Sequence, residues 1–240
     1  MIQLNLLQGV IITFIFTHLT IVSVTLYLHR SQAHKSVEFH PVVNHFFRFW
    51  IWLTTGMTTK AWVAVHRKHH LSTDIQGDPH SPHIFGIWKL IFGGWSLYHQ
   101  ATKDPSFVLK YGAGTPRDKI ERFYTRYYRQ GFIVMLILNL FLFGWWGCLI
   151  WGVQMIWIPF CAAGLINGLG HWWGYRNGET NDYSHNISPI GIFVGGEELH
   201  NNHHLDINNP KFSHKKWEFD IGWMYIRILE FLNLAKLKTS

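Results

Sequence analysis

The chain has 240 residues, of which 15% are charged and 17% aromatic, with 13 Trp and a formal net charge of +7. So few charges and so many Trp belong to a chain embedded in a bilayer, and the basic excess is then the bias of cytoplasmic membrane-protein loops and of surfaces near anionic head groups. No nucleic-acid-binding motif accompanies the charge, and two cysteines, Cys148 and Cys161, are too few for a disulfide framework and read as packing residues.

Charge falls in blocks. Lys, Arg, Asp and Glu are missing from residues 1–29 and 130–175, so all 21 basic and 14 acidic residues lie in 30–129 and 176–240. Residues 4–28 are long enough for a spanning helix of roughly 20 residues, and they lack the basic start and cleavage site of a signal peptide. Arg30 and Lys35 follow directly, which places this end in the cytoplasm. His18, inside the span, reads as a polar side chain satisfied within a helix bundle. His29 and His34 are five residues apart, about 140° on an ideal α-helix. They either bind different ions or lie where the helix has ended, and a helix terminus opening to water is expected.

Residues 42–59 and 84–98 are apolar and aromatic but too short and wrongly placed to cross, so both are expected to lie in the interface. Between them Asp74–His83 is a turn region around Gly77-Asp78-Pro79, with His80 and His83 as candidate ligands that read better as turn caps or partners of metal-ligating rings. Residues 103–129 read as a loop and then a soluble helix from about Pro116. The second charge-free block accommodates a hairpin of two crossings over about 131–170, turning near Gly144-Trp145-Trp146-Gly147 or near Gly152. Asn167 and His171 lie one helical turn apart near its end, and polar residues so deep are functional candidates. Beyond Arg176 the chain is cytoplasmic again. Gly191–Gly196 is expected to be a flexible approach to Glu197 and Glu198, and 217–236 an amphipathic helix. The predicted architecture is an all-α integral membrane protein forming a single domain over 1–240. It has few transmembrane helices, interfacial helices and a histidine-rich helical cap built from the cytoplasmic segments 29–130 and 175–240.

The chemistry is concentrated in histidines. His66, His69 and His70 stand at i, i+3 and i+4, one face of a helix, and His200, His203 and His204 repeat the pattern. Two such helices can converge on a pair of metal ions, with other histidines completing the shells. The lack of Cys ligands argues against iron–sulfur and thiolate zinc sites, whereas imidazole suits Fe, Zn, Cu or Ni alike. A metal-binding or transport protein is the reading from another class, but it needs polar residues lining the spans, and His18 and Asn167 are almost all they offer.

The histidine groups resemble those of the membrane fatty acid desaturases, in particular the acyl-CoA Δ9 branch typified by stearoyl-CoA desaturase. His29-Arg30-Ser31-Gln32-Ala33-His34 is similar to the first box, His66-Arg67-Lys68-His69-His70 to the second, and Glu198-Leu199-His200-Asn201-Asn202-His203-His204 to the third. Asn167-Gly168-Leu169-Gly170-His171 fits the Asn-x-x-x-His element that precedes the third box. The resemblance spans about residues 20–210 and departs from the family pattern in leaving room for one span before the first box.

That resemblance implies a non-haem di-iron centre ligated by His29, His34, His66, His69, His70, His171, His200, His203 and His204, with Asn167 holding a metal-bound water and no separate acid or base. Trp62 would help shape a bent acyl tunnel. The implied reaction is O2-dependent desaturation of a long acyl chain, as a thioester such as acyl-CoA, with electrons from an external ferredoxin-, rubredoxin- or cytochrome b5-like donor and its reductase. A hydroxylase of the same superfamily is the alternative outcome. The implied location is a multi-pass integral membrane protein, with the bacterial inner membrane favoured over the endoplasmic reticulum and the site facing the cytoplasm. Lys60, Arg67 and Lys68 are candidates to meet an anionic head group.

Overall fold

The computed structural model describes residues 2–238. Helix α1 (Leu6–Ser23) starts at Asn5, whose side chain accepts from the Gln8 N–H while the Gln8 side chain accepts from the Asn5 N–H, a reciprocal cap that fixes the start. It runs without a break into π-helical turns over Val24–Ala33. Leu6–Ala33 is thus a 28-residue apolar rod, longer than the roughly 20 residues a crossing takes. A short strand β1 (Val37–Phe39) leads to α2 (Pro41–Thr54), and Gly56, at φ +64°, turns the chain into α3 (Thr59–Leu71). The helices α4 (Pro82–Phe85), α5 (Ile87–Thr102), α6 (Pro105–Tyr111) and α7 (Lys119–Arg126) follow.

The expected hairpin forms from α8 (Tyr128–Phe143) and α9 (Trp145–Ile158), with its turn at Gly144, φ +58°. Helix α9 continues through π-helical turns over Pro159–Gly168 to His171, giving a second long apolar rod of 27 residues. Both rods and α8 turn large apolar side chains outward, among them Leu7, Phe14, Phe141, Leu149 and Ile156, as segments facing lipid do. Helix α5 exposes Trp88, Phe92 and Trp95 and packs its other face on the second π-helical stretch. Gly94 and Gly164 allow that approach, since a Cβ on Gly94 would stand 2.3 Å from the Ala163 Cβ.

The hairpin arms meet as closely. A Cβ on Gly147 would lie 2.1 Å from the Asn139 carbonyl oxygen, whereas one on Gly152 meets nothing within 4 Å. Gly147→Ala is therefore expected to lower stability by about 1–3 kcal/mol through overpacking. Gly152→Ala should raise it by roughly 0.5–1 kcal/mol through helix propensity. Thermal unfolding in detergent checks both; equal effects would mean that the arms do not touch there.

Two expectations are revised. The helix expected over 217–236 is confined to α11 (Ile221–Phe231), because Asn233 adopts φ +58° and the chain returns as β4 (Ala235–Leu237), antiparallel to β1 with Val37 opposite Leu237. The fold is mostly helical but carries two small ribbons among the described residues, the second pairing β2 (Ile190–Gly191) in parallel with β3 (Phe219–Asp220). Gly191–Gly196, expected to be a flexible approach, is anchored at its C-terminal end, although Phe193 stays exposed. Gly195 and Gly196 are buried at φ +73° and +98° and lead into α10 (His200–Leu205).

Candidate metal centre

The π-helical turns change what the first histidine pair can do. The His34 N–H donates to the His29 carbonyl at 3.1 Å, an i→i+5 bond that returns residue 34 to the side of residue 29. The 140° divergence of an ideal α-helix does not arise, and the two ring centroids lie 4.7 Å apart. Helix α3 adds His66 and His70, and α10 adds His203. His29, His34, His66, His70 and His203 then bring one ring nitrogen each within 4.8 Å of all the others. His69, His171, His200 and His204 form a second set by the same measure. Each histidine triplet is therefore divided between the sets, and adjacent residues serve different ones. All nine histidines singled out in the sequence are brought together.

The rings face one another by atoms that cannot all be satisfied by protein. Nε2 of His66 lies 2.8 Å from Nε2 of His34 and 3.0 Å from that of His70; Nε2 of His203 lies 3.1 Å from those of both His70 and His29. In the second set Nε2 of His171 and His200 are 2.8 Å apart, and the buried Nε2 atoms of His69 and His204 meet no hydrogen-bond partner among the described residues. A neutral imidazole carries one proton, so a knot of Nε2 atoms is chiefly a knot of lone pairs. Such a donor set suits a cation. Burial keeps the rings in that neutral form. It pushes His34 down to about 3 and, against the opposing pull of Asp182, His204 to about 4; His66, His70, His200 and His203 are held well below the usual value.

Carboxylates fix the ring orientations from behind. Nδ1 of His29 donates to Glu197 at 2.6 Å, that of His69 to Asp78 at 2.9 Å, that of His171 to Asp74 at 2.8 Å and that of His204 to Asp182 at 2.8 Å. Each bond places the proton on Nδ1 and leaves Nε2 free to ligate. Burial alone would raise the Asp74 carboxyl, but hydrogen bonds from His171, Ser81 and Tyr183 hold it at about 2. Asp78 and Asp182 are likewise held far below the usual range, against burial, by His69 and His204. Glu197 is the exception: burial pushes it up to about 8, against the charge of Arg30 and the Thr25 hydroxyl.

These four acids are what sequence reasoning missed. Asp74 and Asp78 follow the second box within a turn region, and the need of every ligating imidazole for an Nδ1 acceptor was the available signal. Asp182 lies in a loop with no periodicity to mark it.

A cavity of about 320 Å³ opens from the histidines into the helical body. Its walls are mainly apolar, with Ile21, Met57, Ile158 and Ile166 among them, and His29, His66 and His200 stand at the metal-facing end. Trp62 lines it and stacks on His66 at 4.9 Å between centroids. Asn167 lines it too, near the end of the π-helical stretch that leads to His171. His83 donates from Nε2 to the His171 carbonyl at 2.8 Å, while His80 lines the cavity beside His69 at 4.6 Å. His18 meets the Tyr225 hydroxyl at 3.0 Å, as a polar residue satisfied within the bundle. Arg67 is not free to meet a head group. Its guanidinium donates to the carbonyls of Gln32, Ala33 and Ala113, which clamps α3 to the first box.

Residues 5–215 match the family model described as fatty acid desaturase. The sn-1 stearoyl-lipid 9-desaturase of Anabaena variabilis is 31% identical over 214 residues, covering 88% of this chain and 76% of the relative. Delta-9 acyl-lipid desaturase 1 of Arabidopsis thaliana is 31% identical over 218 residues, with 88% and 69% covered. An acyl-CoA C20 Delta5-desaturase of Anemone leveillei is 32% identical over 216 residues, with 88% and 67% covered. Two histidine sets at the head of an apolar cavity, and a family match over most of the chain, lead to one conclusion: this protein is an oxidoreductase belonging to the fatty acid desaturase family.

Proposed function

We propose that the chain inserts a Δ9 double bond into a long-chain acyl thioester, acyl-CoA in the first instance, at a di-iron centre. The observation that carries this reading is the meeting of two all-histidine sets with one apolar cavity. The five-histidine set would hold one iron, and the four-histidine set, completed by a water on Asn167, the other. The bound irons would supply the oxidising power that an unactivated methylene requires, since acid–base chemistry has no acidic proton to work on. The overall balance takes one O2, two electrons and two protons, removes two hydrogens from a –CH2–CH2– unit and yields two waters. An external one-electron donor of the ferredoxin, rubredoxin or cytochrome b5 class supplies the electrons.

The protein's own part is positioning. The cavity walls exclude water and hold the acyl chain in register, so the bond formed is set by which methylenes lie beside the histidines. Trp62, stacked on His66, would form the wall nearest that point. The apolar tail enters by the same burial that favours apolar side chains in the core. The two long rods and α8 would cross the bilayer, with the histidines at its cytoplasmic boundary and the bacterial inner membrane as the membrane concerned.

The names of two of the relatives favour a second carrier, an acyl lipid, with the same chemistry. The test is the fatty acid profile of cells expressing the chain, compared with His69→Ala. A new Δ9 monounsaturated acid that disappears in the variant is expected. Separating the CoA and lipid pools in a short pulse assigns the carrier. A hydroxy acid would move the reading to hydroxylation, and a profile unchanged with iron-loaded protein and a reconstituted donor would overturn it.

A further inference from the structure

Arg30, between the two histidines of the first box, is fully buried, yet no ligating nitrogen touches its guanidinium. It is gripped from the C-terminal segment. Nη1 and Nη2 donate to the two carboxylate oxygens of Asp220 at 3.1 and 2.9 Å, and the Asp220 side chain is as buried as that of Arg30. Nη1 also donates to the Pro210 carbonyl at 2.7 Å and Nη2 to that of Gly195 at 3.1 Å. The Phe212 ring covers the guanidinium face at 3.8 Å. The cradle has no spare room: a Cβ on Gly196 would stand 2.1 Å from Asp220 Oδ1, and one on Gly222 2.6 Å from Arg30 Nη2.

Two routes out of this clasp end on the five-histidine set, while the Phe212 carbonyl also accepts from the Asn202 side chain on α10 at 2.8 Å. Phe212 packs its ring against His203 at 4.8 Å and His29 at 5.6 Å, and its N–H donates to Asp220 at 2.8 Å. The Gly195 carbonyl held by Arg30 lies two residues before Glu197, which holds His29 Nδ1. Asp220 also accepts the Trp223 N–H at the start of α11, so the helix is anchored by the same carboxylate. Buried ion pairs serve best where they fix one arrangement among several, and a bidentate Arg–carboxylate pair is the most directional available.

We propose that Asp220, acting through Arg30 and Phe212, is a positioning residue for the five-histidine set alone. The segment following the third box thereby becomes part of the metal centre. The inference rests on the two-metal reading above. A merely structural clasp would loosen both sets together.

The test is metal stoichiometry of the full chain in detergent, loaded anaerobically with Fe(II) and desalted. Wild type is expected to retain two irons per chain and Asp220→Asn about one, with far-ultraviolet circular dichroism unchanged. Adding His203→Ala to Asp220→Asn should remove no further metal, whereas adding His204→Ala should remove the rest. Should Asp220→Asn not fold, Phe212→Leu, which keeps the ion pair and removes the ring, is expected to weaken metal retention in the same set. Two irons retained with wild-type affinity in the variants, or loss of both together, would overturn the inference. A wild-type chain that never holds two metals would instead overturn the two-metal reading beneath it.

Discussion

Asp78→Asn is expected to lower metal retention and product formation by one to two orders of magnitude, the range found when the partner of a ligating imidazole is removed. The size follows from what this carboxylate does. It accepts from His69 Nδ1 at 2.9 Å, from the Asp74 N–H at 2.8 Å and from the His80 N–H at 2.9 Å. An asparagine has one acceptor oxygen and an NH2 that would face another donor. Asp74, so placed, accepts from His171 Nδ1, the Tyr183 N–H and the Ser81 hydroxyl. One short loop thus holds two of the four rings of the second set, and Asp74 adopts φ +61° to do so. Asp78→Ala should be at least as damaging. Iron per chain and product yield, measured on the same preparation, check the prediction; unchanged values for both would reduce Asp78 to a loop residue.

The second large effect is on stability. In the metal-free protein at least six ring pKa values outside the long rods are depressed by burial: His34 to about 3, His204 to about 4, and His66, His70, His200 and His203 well below the usual value. An unfolded chain takes up protons on these rings near pH 6.5, and the native state does not. Stability is therefore full above about pH 6.5 and falls as pH drops toward 4. The slope is roughly 1.4 kcal/mol per pH unit for each ring that stays neutral. Metal binding demands the same neutral rings and adds stability in proportion to its occupancy. The midpoint of thermal unfolding in detergent should drop steeply between pH 6.5 and 4.5. It should rise on adding Fe(II) at pH 7 and fall again with chelator. A midpoint flat across that pH window would mean that the rings are not buried and neutral.

Much of the centre was legible because helical spacing is legible. His66, His69 and His70, and likewise His200, His203 and His204, announce a shared face, and charge-free blocks announce long apolar rods. What spacing could not give was the partition of each triplet, because that depends on how α3 and α10 cross. Nor could it give the alignment of His29 with His34, which needs π-helical turns that no α-helical wheel contains. The shortened C-terminal helix was hidden for a different reason. The apolar positions from Trp217 to Leu232 are compatible with a helix, and it is the turn at Asn233 and the pairing of Ala235–Leu237 with β1 that end it. Arg67 looked like a surface cation and is a clamp, since only the fold brings the carbonyls of Gln32 and Ala33 to it.

The division of each triplet between the sets makes the peptide backbone a gauge block. His69 and His70 are covalent neighbours with ring centroids 5.4 Å apart, and His203 and His204 repeat this at 5.5 Å. The separation of the two sets is therefore machined twice, once on α3 and once on α10, by bond lengths rather than by packing. Any widening or narrowing of the centre has to come from ring rotation or from one helix sliding on the other.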